Sequence, residues 1–315
     1  MVSERDQNFR LTTADGRQFV FKIANAAEPQ PATDCQVAAL LHIEQQPCPV
    51  ATPQIHRTLK DSAATWIGGE RGSAHAHRCR VVSFLPGDLL SAVEISVALA
   101  TSLGHSAAQL DLALKRFSHA GASQVLLWDL QRAGALRDLL DYVVEDDLRN
   151  AVKSCLDDFD QRVQPALADL RHQVIHSDLN PDNVLVRPAD QVAGVIDFGD
   201  MQHAPLIMEV AITASYLRPT PAQHVLSWVS PFIAAYHQVL PLRDQELEML
   251  FDLIRARLAA TISILRWRAS VLGAGDEYSR KNLHREDDAA RFLARLDKLG
   301  RAGFLAEIQK VIKNI

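Results

Sequence analysis

Two short stretches, "VIHSDLNPDNVLV" at residues 174–186 and "GVIDFGD" at 194–200, constrain this chain more than any other part of it. Each sets β-branched apolar residues against acids and amides. "VI", "VLV" and "AGVI" read as short buried strands, "RPADQ" as the turn between the last two, and the polar octet 176–183 as the loop held between strands. A hairpin of that form carries Asn183 and Asp197 to the same end. An amide and a carboxylate are hard oxygen donors, and they suit Mg2+, which keeps several waters and takes one or two protein oxygens together with substrate phosphates. Asp178 is then the carboxylate nearest a reacting hydroxyl, placed to orient it and accept its proton during phosphoryl transfer. The bland alternative is a solvated turn with capping aspartates. Two acid and amide sites at this spacing favour the chemical reading.

The segment before these motifs has a different texture from the segment around them. "FRLTT", "ADGR" and "QFVFKI" form strand, turn and strand, with Asp15-Gly16 at the turn, Phe19, Phe21 and Ile23 on one face and Lys22 on the other. Lys22 has the type and placement to contact nucleotide phosphates, although exposed strand lysines are common. A helix is expected from Thr33 or Asp34, either of which can cap it, and it stops before Pro47. A second hairpin, "ATWI", "GGERGS" and "HRCRVVSFL", ends in "PGD", a break suited to a hinge. The expected boundary lies near Pro86, giving an N-terminal nucleotide-binding lobe at 1–85 and a catalytic and substrate-binding lobe at 86–315.

Beyond Pro86 apolar residues recur at helical spacing, as in Leu110, Leu114 and Phe117, or Val152, Cys155, Leu156, Phe159 and Val163. The fold class expected is therefore α+β: a bilobal chain with a small β-rich first lobe and a larger, mainly helical second one. Its 315 residues, 48% hydrophobic and 23% charged, are enough for two unequal lobes. The net charge of −5 is spread along the chain without a basic run, which argues against a nucleic-acid partner. No secretory leader or membrane span is read in it, so the expected location is cytoplasmic. The scattered Cys35, Cys48, Cys79 and Cys155 read as reduced thiols. His75 and His77 have a metal-like spacing but no third ligand, Asp157 and Asp158 read as the wet face of a helix, and Trp128 reads as core or as part of a substrate pocket.

The order H-x-D-x-x-x-x-N followed by I-D-F-G, with an upstream strand lysine and a β-rich first lobe, resembles the aminoglycoside phosphotransferase and choline kinase superfamily of the protein-kinase-like fold. "SERDQNF", "LLWDL", "HSDLNPDNVLV" and "GVIDFGDM" with "EVAI" look, more narrowly, like the hydroxylysine kinase branch and the kinase-like modules fused to class III aminotransferases. The resemblance implies Asp178 as catalytic aspartate, His176 as the histidine supporting its loop, Asn183 and Asp197 as Mg2+ ligands, and Lys22 as the phosphate-contacting lysine. It also implies Asn8 in a nucleotide-covering loop, backbone amides of the "VSFLP" segment, Ser83 and Leu85 among them, at the base, and Glu209 securing the fold. ATP or GTP is the implied co-substrate, and a small hydroxylated amine the implied acceptor.

Three departures accompany the resemblance. The nucleotide loop has no G-x-G-x-x-G, the usual first strand is short or missing, and Gln36 stands where the family has an acid to pair with the strand lysine. An amide can still accept a hydrogen bond from Lys22. Asp129, Asp200 and Glu277 are candidates to meet an amine. The rival from another class is a nucleotide-binding pseudoenzyme or regulatory module; kinases of homoserine, choline or an aminoglycoside are nearer alternatives.

Overall fold

The computed structural model describes residues 6–69, 73, 76–272 and 277–314, with side chains of the last segment from residue 284 onward. Alternating side chains around the Asp15-Gly16 turn build the first hairpin from β1 (Gln7–Thr12) and β2 (Gln18–Ile23), with Gly16 at φ +84°. Helix α1 (Gln30–Glu44) begins before Thr33 and Asp34, because Pro29 and Pro31 set its entry and supply φ angles already helical or extended as needed. Thr33 donates instead to the Gln30 carbonyl at 3.0 Å, and Asp34 accepts from Arg78 at 2.7 Å. Strands β3 (Ile55–His56), β4 (Thr65–Ile67) and β5 (His77–Ser83) complete an antiparallel sheet ordered β1-β2-β5-β3, with β4 also on β5. His77 lies inside β5, its Nδ1 3.0 Å from the Ala24 carbonyl. His75 lies outside the described residues.

After Pro86 the chain enters other sheets. β6 (Asp88–Leu89) is followed by α2 (Val97–Leu114), whose N-terminus is capped by Ser96 accepting the Leu99 N–H at 3.0 Å. A 3₁₀ stretch at Leu130–Tyr142 leads to α3 (Asp146–Asp158). Strands β7 (His172–Ile175), β8 (Val184–Arg187), β9 (Gln191–Val195) and β10 (Gln202–Pro205) form two small sheets, β6-β8-β9 and β10-β7. Among the described residues four helices follow: α4 (Ile207–Ala214), α5 (Val229–Val239), α6 (Asp244–Leu272) and α7 (Glu277–Lys313), the last broken at Gly300 with φ +72°. The chain is thus α+β, with a small antiparallel N-terminal lobe and a mainly helical remainder.

Burial explains why the polar loop is rigidly framed. Val174, Ile175, Val184 and Val195 are at most 1% exposed, and each such side chain contributes about 1.5–3 kcal/mol by leaving water. Helix α6 runs through the core with Leu250, Ile254, Leu258 and Ile262 all fully buried. Helices α2 and α5 meet closely at Gly104, where a Cβ would stand 2.2 Å from the Phe232 carbonyl oxygen. Asp158, expected on a wet face, instead joins an ion network: it pairs with buried Arg255 and, at 3.2 Å, with Arg301. Asp157 is likewise half-buried and paired, bonded to Lys153 at 2.7 Å and 2.8 Å from Arg137. All four cysteines are free thiols, and among the described residues no helix is long and apolar enough to cross a membrane.

Candidate active site

Residues 176–183 cross from the end of β7 to the start of β8, and one backbone position there, Ser177 at φ +64°, and one just after β9, Asp197 at φ +62°, carry left-handed angles. Non-glycine residues hold such angles only where their surroundings impose them. Glu209, in the first turn of α4 and 1% exposed, does so for Ser177 by accepting its backbone N–H at 2.9 Å. Burial pushes the Glu209 carboxyl up to about 7, and the Ser177 N–H bond pulls the other way. His176 joins the two motifs. Its Nδ1 accepts the Asp178 N–H at 3.3 Å, so Nε2 carries the proton and donates to the Ile196 carbonyl at 3.2 Å. Burial drives its pKa down to about 4, which keeps the ring neutral, and its edge meets Phe198 with centroids 4.8 Å apart.

Asp178 stands in a cage of amides. Its Oδ2 accepts from Asn180 Nδ2 at 2.9 Å and from Asn183 Nδ2 at 2.7 Å, while Asn183 also donates to its backbone carbonyl at 2.9 Å. Asn180 also shapes the turn, its Oδ1 accepting the Asp182 N–H at 2.7 Å. Burial first, then the neighbouring Asp200, raises the Asp178 carboxyl to about 8, against the pull of Arg257 and Asn180. Across the β8-β9 hairpin the Ile196 N–H donates to the Asn183 carbonyl at 2.9 Å, which sets Asp197 one residue from Asn183's partner. The Lys22 ammonium holds the Asp197 carboxyl below the ordinary carboxylate range.

The N-terminal sheet delivers Lys22 to this point. Its Nζ is 3.5 Å from Asp197 and 3.5 Å from Asp6. The expected bond from Lys22 to Gln36 is replaced: Gln36 Oε1 accepts from Arg80, which pairs directly with Lys22 in the β2-β5 register and lies 3.3 Å from Asp6. The physical reason is that the longer, buried guanidinium must satisfy more donors than an ammonium, and it takes the amide oxygen of α1 for itself. Asn8, expected in a covering loop, is the second residue of β1 and faces Lys22 across the hairpin; residues 3–5 of that segment lie outside the described residues. The "VSFLP" expectation narrows as well. The Ser83 N–H donates to Gln54 O at 2.9 Å and the Phe84 N–H to Gln18 O at 3.3 Å, so both of these amides are used within the protein. Leu85 lies beyond the strand and packs toward Gly194 of β9.

Other candidates sort by their partners. Asp129 caps the 3₁₀ stretch, accepting the Gln131 N–H at 3.0 Å, and lies 3.5 Å from Arg132. Asp200 is close enough to Asp178 to raise its pKa, and Glu277's side chain lies outside the described set. Sequence reasoning missed Arg257 altogether. This α6 residue, 2% exposed, reaches Asp178 at 3.7 Å, donates to Trp128 O at 3.1 Å and Tyr216 Oη at 3.2 Å, and lies 4.9 Å over the Trp128 ring. The available signal was an arginine inside the apolar run "LIRARLAATISIL". A cleft of about 500 Å³ opens beside Trp128, between Glu28, Pro29 and Ala32 before and in α1 and the 120–128 segment. A larger cavity of about 600 Å³ is lined by Phe19, Phe21 and Val81, on the sheet face opposite Lys22 and away from Asp178.

The donor set fits Mg2+. Asn183 spends both described amide bonds through Nδ2, which leaves its oxygen as the end that can meet a cation, and Asp197 is an anionic carboxylate with 42% of its side chain exposed. No group of three or more histidine, cysteine or acidic ligands occurs among the described residues. Two protein oxygens completed by water and phosphate match Mg2+ better than a zinc or calcium cage.

Known proteins resemble this chain in sequence and in fold. Residues 3–249 match the phosphotransferase enzyme family. The hydroxylysine kinase of Danio rerio is 27% identical over 320 residues, covering 96% of this chain and 86% of that protein. Its Mus musculus counterpart is 27% identical over 300 residues, covering 88% and 79%. Among solved structures, an amicoumacin kinase in complex with AMP-PNP, Ca2+ and its ligand superposes with a TM-score of 0.69 at 15% identity, covering 96% of this chain and 88% of that one. A microcompartment-associated aminopropanol kinase gives 0.66 at 15% identity, covering 98% and 96%.

Proposed function

The chain belongs to the phosphotransferase enzyme family, and from that premise we propose that it transfers the γ-phosphate of ATP or GTP to a hydroxyl of an amino alcohol or hydroxylated amino acid, in the manner of a hydroxylysine kinase. It is a small-molecule phosphotransferase with an alcohol group as acceptor. The observation that carries the phosphoryl-transfer reading is the meeting of Lys22 with Asp197 at 3.5 Å, next to the loop in which Asn183 grips Asp178, and the likeness to hydroxylysine kinases supports the acceptor class.

In this reading Asp178 orients the acceptor hydroxyl and takes its proton, with a carboxyl raised to about 8 and thus matched to a base working near neutral pH. Asn183 and Asp197 hold Mg2+, which supplies charge neutralisation for the phosphate oxygens when bound. Lys22 draws the nucleotide phosphates toward Asp197, while Asp6 and Arg80 hold Lys22 in a balanced set of charges. His176 and Glu209 do no chemistry; they fix the loop backbone so that Asp178 needs little reorganisation.

The test is a Mg2+-dependent assay with ATP and GTP against hydroxylysine, ethanolamine, choline, homoserine and aminoglycosides, read by mass spectrometry. A phosphorylated amino alcohol or hydroxy amino acid is expected. Nucleotide binding without any phosphorylated acceptor would hand the case to the pseudoenzyme.

A further inference from the structure

Two arginines behind Asp178 have more donors than the protein satisfies. Arg257 uses its two terminal nitrogens on Trp128 O and Tyr216 Oη, yet its Nε is buried with no hydrogen-bond partner. Arg218, between α4 and α5, donates through Nε to Ser215 O and through one terminal nitrogen to Arg285 O, both at 2.8 Å; its Nη2 is buried and unpartnered. Tyr216 connects the two, with its ring 5.4 Å from the Arg218 guanidinium and 5.9 Å from that of Arg257. Among the described residues Arg257 has one carboxylate in ion-pair contact, Asp178 at 3.7 Å, with Asp200 also near enough to act on its charge. Among the described residues Arg218 has none: its hydrogen-bond acceptors are neutral carbonyls.

A buried guanidinium cannot shed its proton, and leaving one without counter-charge or with idle donors is costly. Burial and the nearby Arg285 and Arg257 pull Arg218 down to about 10, against Tyr216 and Asp288. Arg257 lies on α6 and Arg218 in the segment between α4 and α5, whereas Lys22 and Arg80 come from the N-terminal sheet. Arg285 ties the same corner to the loop by pairing with Asp182. The idle groups are the Arg257 Nε–H and the Arg218 Nη2, and a carboxylate brought by the acceptor would give these cationic donors an anionic hydrogen-bond partner.

We propose that Arg218 and Arg257, spaced by Tyr216, form a carboxylate subsite that selects acceptors bearing a carboxylate as well as the hydroxyl, so that a hydroxylated amino acid is preferred to a simple amino alcohol. This rests on the phosphotransferase reading above. Arg218 is the specificity-determining member; Arg257 bridges the subsite to Asp178.

The experiment compares hydroxylysine with its decarboxylated diamino alcohol, which differs only in the carboxylate, using the full chain with Mg2+ and nucleotide. The parent protein should favour hydroxylysine in kcat/KM by about 100-fold or more, as expected when a smaller acceptor leaves buried donors unpaired. Arg218→Gln should lose at least about 30-fold more activity on hydroxylysine than on the diamino alcohol, mainly through KM for the acceptor, and Arg218→Lys should recover part of that difference. Equal kcat/KM for the two acceptors in the parent, or equal losses on both in Arg218→Gln, would overturn the subsite. If neither acceptor is phosphorylated, the proposed reaction falls, and calorimetry still decides the subsite. Tighter binding of hydroxylysine than of the diamino alcohol, lost in Arg218→Gln, upholds it; equal or absent binding of the two rejects it.

Discussion

Replacing Asp178 by asparagine should inactivate the protein and stabilise it at the same time. The carboxyl is raised to about 8 by burial and by Asp200, from an ordinary value of 3.8. The folded state therefore binds this proton more tightly than the unfolded state, so stability is full at low pH and falls as pH rises from about 4 to about 8. The slope is about 1.4 kcal/mol per pH unit, and the loss amounts to roughly 4 kcal/mol at pH 7. Asparagine carries no charge, and its oxygen can still accept the Nδ2–H groups of Asn180 and Asn183. Urea unfolding at several pH values is the assay. The variant should gain on the parent by about 1.4 kcal/mol with each pH unit up to about 8 and by no more beyond it. Turnover should drop by about 100- to 10,000-fold, the worth of a positioned base, with nucleotide affinity nearly unchanged. A stability difference independent of pH would refute the burial argument. Turnover above about a tenth of the parent's would refute the assigned role.

Three further perturbations probe the rest of the site. Asp197→Ala removes one of the two side chains proposed to hold Mg2+, so the Mg2+-dependent part of nucleotide affinity should vanish in calorimetry, and affinity equal to the parent's would sink that assignment. Asp6→Asn takes a carboxylate from between Lys22 and Arg80 and should raise the nucleotide KM about 10-fold, within the range for breaking a close charge pair. Adding Gln36→Glu should return most of that loss, because the new carboxylate meets Arg80; no recovery would mean that Asp6 acts in another way. Gly121→Ala would place a Cβ 1.9 Å from the Pro31 carbonyl oxygen at the start of α1, costing about 1–3 kcal/mol of overpacking in a denaturation series. An unchanged midpoint would show that this contact yields freely.

Much of this protein was legible without coordinates. The β-branched runs around residues 174–198 determined a buried hairpin, since apolar strand residues must leave water and the acids between them cannot follow. The I-D-F-G and H-x-D spacing put Asp178, Asn183 and Asp197 in one neighbourhood, and periodicity separated the sheet-rich first lobe from the helical remainder. Those are local properties, decided by residues within a few tens of positions. What only tertiary structure decided are the long-range electrostatic pairings. Gln36 meets Arg80 instead of Lys22, Lys22 meets Asp6, and Asp158 joins Arg255 and Arg301, because each charge takes whichever partner the packed elements bring within about 4 Å. Arg257 is the sharpest case. Its position in an apolar helical run marks it as buried, but that it touches Asp178, 79 positions earlier in the chain, follows only from how α6 packs beneath the 176–183 loop.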